Sequence, residues 1–198
     1  MNAIPVLALF AVGLATAGSA AETERRCFAG DAGTGTLTFT GAIEGESFTG
    51  SFGEFSVRYC LDQEERAVSH QIDVLVTLSS ADSDNRDRDS TLRGPEFFAV
   101  ARFPEARWRS SAVRRVEEGY EADGELTLKG ITAAQPVRYI LETDGEGMVA
   151  QGQIVLTGGG EVDRRRYDVG TGEFADPGFI RDAVEVAFRI ALSPTGAN

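Results

Sequence analysis

The chain has 198 residues, which is enough for a single domain with its own hydrophobic core. Its formal net charge is -12, from 19 basic and 31 acidic side chains. A surface this acidic repels nucleic acids and anionic lipid headgroups, so the composition argues against nucleic-acid binding and favours function in a pocket.

The chain begins with a segment that is typical of secretory signal peptides. Residues 4–17 form an apolar run, and the small residues AGSAA follow it. Cleavage before Glu22 would place small side chains where a signal peptidase requires them. Because no Lys or Arg precedes the run, the alternative is an uncleaved membrane anchor. We expect residues 1–21 to be a signal peptide, residues 22–198 to form the domain, and the protein to be periplasmic.

The sequence contains two cysteines, Cys27 and Cys60. In an exported protein the compartment is oxidising, so we expect the two to form a disulfide bond. Such a bond would close a loop of about 34 residues and stabilise the fold by roughly 3–4 kcal/mol. The alternative is two free thiols.

Apolar side chains alternate with a period of two along most of the chain, which is typical of half-buried β-strands. The first apolar face starts at Leu37, and the following run, FTGSFGEFSVRYCL, changes phase after Gly53 as a β-bulge would. The remaining alternating segments are 72–78, 103–116, 120–128, 137–141, 148–156 and 184–192.

Short turns such as EEG, DGEG and TGGGE separate these segments, and no long helical period intervenes, so neighbouring strands must be antiparallel. About eight sequential antiparallel strands with glycines on their inner faces predict an all-β closed barrel. A two-sheet sandwich is the alternative fold. Residues 79–104 break the pattern with capping residues and Gly94-Pro95, which predicts a short helix and loop across one end of the barrel.

The motifs for metal binding and catalysis are incomplete. Four oxygen-bearing side chains have the spacing of a calcium loop: Asn85, Asp87, Asp89 and Glu96. Ser90, however, stands where that loop needs glycine, and arginines lie between the candidate ligands, so a salt-bridged helix is favoured. The single histidine, His70, cannot by itself build a usual zinc site and has no evident nucleophile beside it. We therefore expect no metal site and no catalytic residues.

Two other features have more than one interpretation. The triple arginine of residues 164–166 could face an anionic headgroup, although such a run is more often a solvated strand edge. Large aromatic side chains exceed the needs of one small β-core, so they either fill that core or line a ligand cavity. The aromatic candidates are Phe39, Phe48, Phe52, Phe55, Phe97, Phe98, Phe103, Trp108 and Tyr139.

The stretch RDSTLRGPEFFAVARFPEARW resembles the signature of the YceI-like family of exported, lipocalin-like lipid-binding proteins. The matching residues are Arg88, Asp89, Leu92, Glu96, Phe97, Phe98, Phe103, Pro104 and Trp108. The segments LTFTGAIEGESFTGSFGEFSV, GELTLKGITAAQPV and RRRYDVGTGEFADPGFIRDAVEVAFRIAL resemble further family elements in the same order, with Ala133-Ala134 as an apparent insertion. The resemblance covers residues 33–192, and Thr91 stands where many members carry histidine.

This resemblance implies an eight-stranded antiparallel barrel that holds an elongated amphiphile, such as an isoprenoid, a quinone or a fatty-acyl lipid. The nine aromatic candidates would bind this ligand. Within the pair that follows Gly94-Pro95, one of Phe97 and Phe98 would line the tunnel and the other would plug the barrel end, because neighbouring residues of an extended chain point in opposite directions.

The function implied by the resemblance is a carrier or sequestering protein without enzymatic activity, acting as a monomer or a homodimer. A second hypothesis is an accessory protein of membrane electron transport that contacts a b-type cytochrome, because VGTGEFADP resembles a subgroup encoded beside such cytochromes. A third hypothesis is an enzyme that modifies a bound lipid.

Overall fold

The computed structural model describes residues 25–64, 67–142 and 152–195, with the side chains of 62–64 and 67–69 left aside. The expected signal peptide and the predicted turn DGEG (144–147) lie outside these ranges. Within them, no helix is long and apolar enough to cross a membrane.

The described residues form twelve β-strands and one α-helix, with short 3-10 turns at 78–80, 164–167 and 172–174. The elements are β1 (Arg25–Asp31), β2 (Gly35–Ile43), β3 (Glu46–Phe52), β4 (Phe55–Glu64), β5 (Ala67–Thr77), β6 (Ala81–Asp82), α1 (Arg86–Arg93), β7 (Glu105–Val116), β8 (Gly119–Leu128), β9 (Ile131–Ala134), β10 (Val137–Glu142), β11 (Ile154–Asp163) and β12 (Ala183–Pro194).

Eight of these strands form a closed antiparallel barrel. The order around the ring is β1-β4-β5-β7-β8-β10-β11-β12, and pairing between β1 and β12 at Phe28↔Pro194 closes it. The other strands continue ring strands past a bend: β2 extends β1, β3 precedes β4, β6 follows β5, and β9 precedes β10. The predicted eight-stranded antiparallel barrel is thus confirmed. The part of the predicted strand 148–156 before residue 152 lies outside the described residues.

The phase change predicted after Gly53 is the boundary between β3 and β4. Gly53 N–H donates to the carbonyl of Ser80 at 3.1 Å, and Glu54 N–H donates to the Ser80 Oγ at 3.0 Å. At this interruption of the strand, the two backbone N–H groups bond to Ser80 and not to a partner strand in the regular β-sheet pattern. The interruption allows the long hairpin to bend while apolar side chains face inward on both sides.

One local prediction was wrong. The TGGGE segment is part of β11 and not a turn, while Ala133-Ala134, the apparent insertion, lies in β9. A Cβ on Gly158 would lie 2.2 Å from the Arg138 carbonyl oxygen, and one on Gly159 would lie 2.3 Å from the Val186 carbonyl oxygen. Glycine is needed here because the adjacent strands approach too closely for a side chain, a reason that local sequence does not reveal.

The helix α1 crosses one end of the barrel, as predicted from the irregular segment. Asn85 caps it by accepting a hydrogen bond from Arg88 N–H at 3.0 Å, and Asp89 accepts from the Ser83 backbone at 2.9 Å. Two of the oxygens that resemble calcium ligands are therefore used to hold the helix. Among the described residues, no three His, Cys, Asp or Glu side chains are grouped to hold a metal ion.

The predicted disulfide between Cys27 and Cys60 is present. The two residues are direct register partners on β1 and β4, and their neighbours Phe28 and Tyr59 are buried inside the barrel. Because side chains alternate along a strand, the disulfide lies on the outer face, where it clamps the first hairpin.

Replacing both cysteines tests this clamp. The double variant Cys27→Ser/Cys60→Ser should lose about 3–4 kcal/mol of unfolding free energy, because the unfolded chain regains the entropy of the open loop. Urea denaturation measures the loss, and wild-type protein reduced with dithiothreitol is the matched control. Equal denaturation midpoints for the oxidised and double-variant proteins would contradict the expected stabilisation.

Candidate functional site

The barrel encloses a cavity of about 240 Å³ whose wall is almost entirely apolar. Strands from all sides of the ring contribute to it, and the inward-facing Val184, Val186 and Phe188 of β12 are only partly buried. Their uncovered surface faces the cavity rather than a packed core. A concave apolar space of this kind is typical of small-molecule binding sites.

Seven of the nine aromatic candidates line this cavity. They are Phe39, Phe48, Phe52, Phe97, Phe98, Trp108 and Tyr139. The strand phase read from the sequence therefore places most of the aromatic side chains on the same inner surface. Their contact with a ligand stays a prediction.

The other two candidates lie away from the cavity wall. Phe55 is buried in the core directly after the bend at Gly53-Glu54. Phe103 is half-buried against the β8–β9 turn, with the Arg102 guanidinium 5.0 Å from its ring centre and its Cε1 2.7 Å from the position a Gly130 Cβ would take. Both aromatics support the barrel wall, so neither is retained in the proposed binding site.

Phe97 and Phe98 both line the cavity, which differs from the expected division into one lining and one plugging residue. The chain here is a series of tight turns and not an extended strand. Phe98 N–H donates to the Leu92 carbonyl at 3.0 Å, and Ala99 N–H donates to the Gly94 carbonyl at 2.8 Å with a φ of 50°. The turn geometry therefore overrides the alternation of an extended chain.

Aromatic contacts join α1 and the turn after it to β3 and to the segment 164–182. The Phe98 ring centre lies 6.3 Å from that of Phe52, and the Phe97 ring centre lies 5.1 Å from that of Phe174. The Arg88 guanidinium of α1 lies 4.2 Å from the ring centre of Phe48 on β3. These contacts hold α1 and the turn after it over the cavity.

A second covering segment, residues 164–182, is organised by Arg164. This side chain is 3% exposed, and its guanidinium donates to the carbonyls of Val169 at 3.0 Å, Gly170 at 2.9 Å and Ile180 at 2.8 Å. Burial lowers the pKa of Arg164, while the Asp182 carboxylate 3.0 Å away opposes that effect. One buried cation thus fixes the fold of the whole segment.

The sequence interpretation of the arginine run was therefore only partly right. Arg165 and Arg166 are exposed, whereas Arg164 is buried and lines the cavity. A Cβ on Gly170 would lie 2.4 Å from the Arg164 Nη1, so the glycine makes room for the guanidinium. In the sequence, the only sign of this contact is that Gly170 follows Arg164 by six residues. That spacing is uninformative until the fold shows that the two residues touch.

The opposite end of the barrel contains a buried group of aromatic hydroxyls around the single histidine. The Tyr59 and Tyr139 hydroxyls lie 2.7 Å and 2.9 Å from His70 Nδ1, and the Tyr120 ring stacks on Tyr139 with centres 5.3 Å apart. Burial raises the pKa of both Tyr59 and Tyr139 and lowers the pKa of His70. Both tyrosines therefore stay protonated and His70 stays neutral. Because a neutral Nδ1 has a single lone pair, at most one of the two hydroxyls donates to it.

The strand phase of the sequence contains part of the information about this tyrosine–histidine group. Tyr59, His70 and Tyr139 each have the inward phase of their strand, so a barrel with these strands near one another would bring them together. Their pairing across the ring depends on register, however, which the sequence does not specify.

The YceI-like domain family model matches residues 28–192. The chain belongs to the YceI-like family. The matched range includes both covering segments and nearly all of the barrel, and it contains the whole of the predicted range 33–192, so the predicted resemblance is confirmed.

Sequence relatives of this YceI-like protein include UPF0312 proteins of Yersinia species. Those of Yersinia pestis and Yersinia pseudotuberculosis are 35% identical over 98 residues, which is 50% of this chain and 50% of each relative. The chain thus matches about half the length of these curated relatives.

Solved structures share the fold at lower sequence identity. Burkholderia cenocepacia BcnA superposes with a TM-score of 0.72 at 20% identity, covering 82% of this chain and 98% of BcnA. A polyisoprenoid binding domain from Saccharophagus degradans has a TM-score of 0.60 at 12% identity, covering 85% of this chain and 98% of that domain. The Campylobacter jejuni YceI protein also has a TM-score of 0.60, at 16% identity, covering 75% of this chain and 85% of its own. At these identities the likeness shows the fold alone.

The buried His70 predicts a specific dependence of stability on pH. Its folded-state pKa lies below the unfolded value near 6.5, so the unfolded chain binds more protons and stability falls as pH drops below about 6.5. Urea denaturation between about pH 5 and 7.5 measures the slope, with His70→Gln as the control because its amide does not titrate. An equal slope in the variant would show that other groups cause the dependence.

Proposed function

We propose that this YceI-like protein is an exported binding protein that holds an elongated amphiphilic lipid inside its barrel. The observation that carries the proposal is the apolar cavity closed by two covering segments. The Saccharophagus degradans neighbour, described as a polyisoprenoid binding domain, supports an isoprenoid as one ligand class. A carrier or sequestering role follows, because such a cavity shields an alkyl chain from water.

The chemistry of the wall accounts for binding without a specific headgroup site. Each buried methylene contributes about 0.8 kcal/mol, so ten ligand carbons give on the order of 8 kcal/mol before ordering costs. That value approaches micromolar affinity, and the costs of binding reduce it. The apolar wall therefore recognises a chain rather than one particular molecule.

Three polar side chains of the wall are used to build the protein. Tyr139 bonds to His70, Arg164 bonds to backbone carbonyls, and Trp108 Nε1 donates to the Gln135 carbonyl at 2.8 Å. These structural roles support binding over turnover of a lipid, so the enzymatic hypothesis is the less favoured one.

A second candidate function concerns membrane electron transport. The segment VGTGEFADP, which resembles a cytochrome-associated subgroup, lies within the covering segment 164–182, and its Val169 lines the cavity. A b-type cytochrome that contacted this segment would therefore meet the end of the cavity. Redox difference spectra of a copurified ligand would separate this role from simple carriage.

Export is part of the proposal, and the disulfide supports it because structural disulfides are typical of oxidising compartments. Protein recovered from the periplasmic fraction should have its N-terminus at Glu22 or within about two residues of it, because AGSAA supplies the small residues of a cleavage site. Intact-mass spectrometry measures this end. A full-length, membrane-bound product would reject cleavage.

A cavity-filling variant tests the binding site. Val186→Trp adds an inward ring on β12 and should remove most copurified lipid, because the added ring occupies the cavity. Ala187→Trp, on the exposed outer face of the same strand, is the matched control and should retain the lipid. Mass spectrometry of organic extracts from protein purified from its native host measures both. Equal lipid content in the two variants would place the binding site outside the barrel.

A further inference from the structure

Gln135 is a buried amide on the inner surface of the barrel. It lies between β9 and β10, and inward residues alternate through this bend from Ala133 to Gln135, Val137 and Tyr139. Gln135 is 5% exposed and lines the cavity. A polar side chain at such a position must be accounted for, because burying an unpaired polar atom is costly.

Most of the hydrogen-bonding capacity of Gln135 is used to hold the wall together. Its backbone N–H donates to the Gly124 carbonyl at 2.8 Å, and its own carbonyl accepts from Trp108 Nε1 at 2.8 Å. Its side-chain Nε2 donates to the Glu161 carbonyl at 2.9 Å and the Pro136 carbonyl at 3.2 Å. The Glu161 bond links the bend to β11.

These contacts fix the orientation of the amide. Both neighbours of Nε2 are carbonyl oxygens, which accept hydrogen bonds and cannot donate them, so the NH2 group must face them and the Oε1 must face away. Within residues 25–64, 67–142 and 152–195, no group donates a hydrogen bond to this Oε1. The amide therefore presents an acceptor on an inward-facing side chain of an otherwise apolar wall.

We propose that the Gln135 Oε1 accepts a hydrogen bond from the polar group of the bound lipid. The ligand class is then a long alkyl or isoprenoid chain that carries a donor, such as an alcohol, a primary amide or a quinol. An ether, an ester or an oxidised quinone has only acceptors and would leave the Oε1 unpaired. This inference rests on the proposed lipid-binding function and adds the chemistry of the headgroup.

A pair of ligands that differ only in the donor tests the inference without a mutation. Farnesol and farnesyl methyl ether share one chain, and Trp108, the single tryptophan, provides a fluorescence signal from the cavity wall. Wild-type protein should bind farnesol about tenfold more tightly than the ether, the size expected for one buried hydrogen bond. Equilibrium dialysis gives the same affinities independently of the fluorescence signal.

The variant Gln135→Leu completes the comparison. It should bind the two ligands with nearly equal affinity, because the acceptor is absent, while Gln153→Leu, a change at a partly exposed glutamine that does not line the cavity, should keep the tenfold preference. If Gln135→Leu fails to fold, Gln135→Met is substituted. A tenfold preference for farnesol that persists in the folded variant would overturn the role of Gln135.

The outcomes separate this inference from the function on which it rests. Equal wild-type affinities for farnesol and its ether, or tighter binding of the ether, would overturn the role of Gln135 and leave lipid binding intact. Failure to bind either farnesyl compound, and also hexadecanol and its methyl ether, would overturn lipid binding and the role of Gln135 together.

Discussion

Close packing of large rings against glycines is the constraint on which the interior depends. A Cβ on Gly50 would lie 2.4 Å from the Phe39 ring, and one on Gly124 would lie 2.5 Å from the Trp108 ring. Each ring therefore occupies space that a side chain on the neighbouring strand would otherwise fill. The inner surface is smooth and apolar as a result, and the volume left at the centre is the cavity.

The two ends of the barrel are closed by different chemistry. At one end, aromatic stacking and a buried guanidinium fix irregular segments over the cavity, and at the other, two tyrosine hydroxyls converge on His70. Both arrangements keep most buried polar groups at the ends of the barrel, and the wall between them is almost entirely apolar. Because the polar groups lie at the ends and the apolar wall lies between them, one small barrel can combine buried polar residues with a cavity suited to a hydrocarbon chain.

Period-two alternation was sufficient to predict the strands, the barrel and an inner surface that carries five strand aromatics, because it depends only on local geometry. The orientation of Phe97 and Phe98 was missed because tight turns replace an extended chain. Arg164, Gln135 and the histidine–tyrosine contacts were missed because their partners are distant in sequence. These features depend on register and loop packing, which a pattern within one segment does not encode.

The pairing of the first ring strand with the last has a consequence for folding. Phe28 meets Pro194, and Thr195 N–H donates to the Cys27 carbonyl at 2.8 Å, so the ring closes only when the C-terminal strand arrives. Contacts this far apart in sequence slow folding, because a long loop must be ordered before they form. The first hairpin, which runs from β1 to β4 and contains the disulfide, can form before β12 is present. A chain emerging N-terminus first would therefore remain an open, unclosed sheet until β12 had been made.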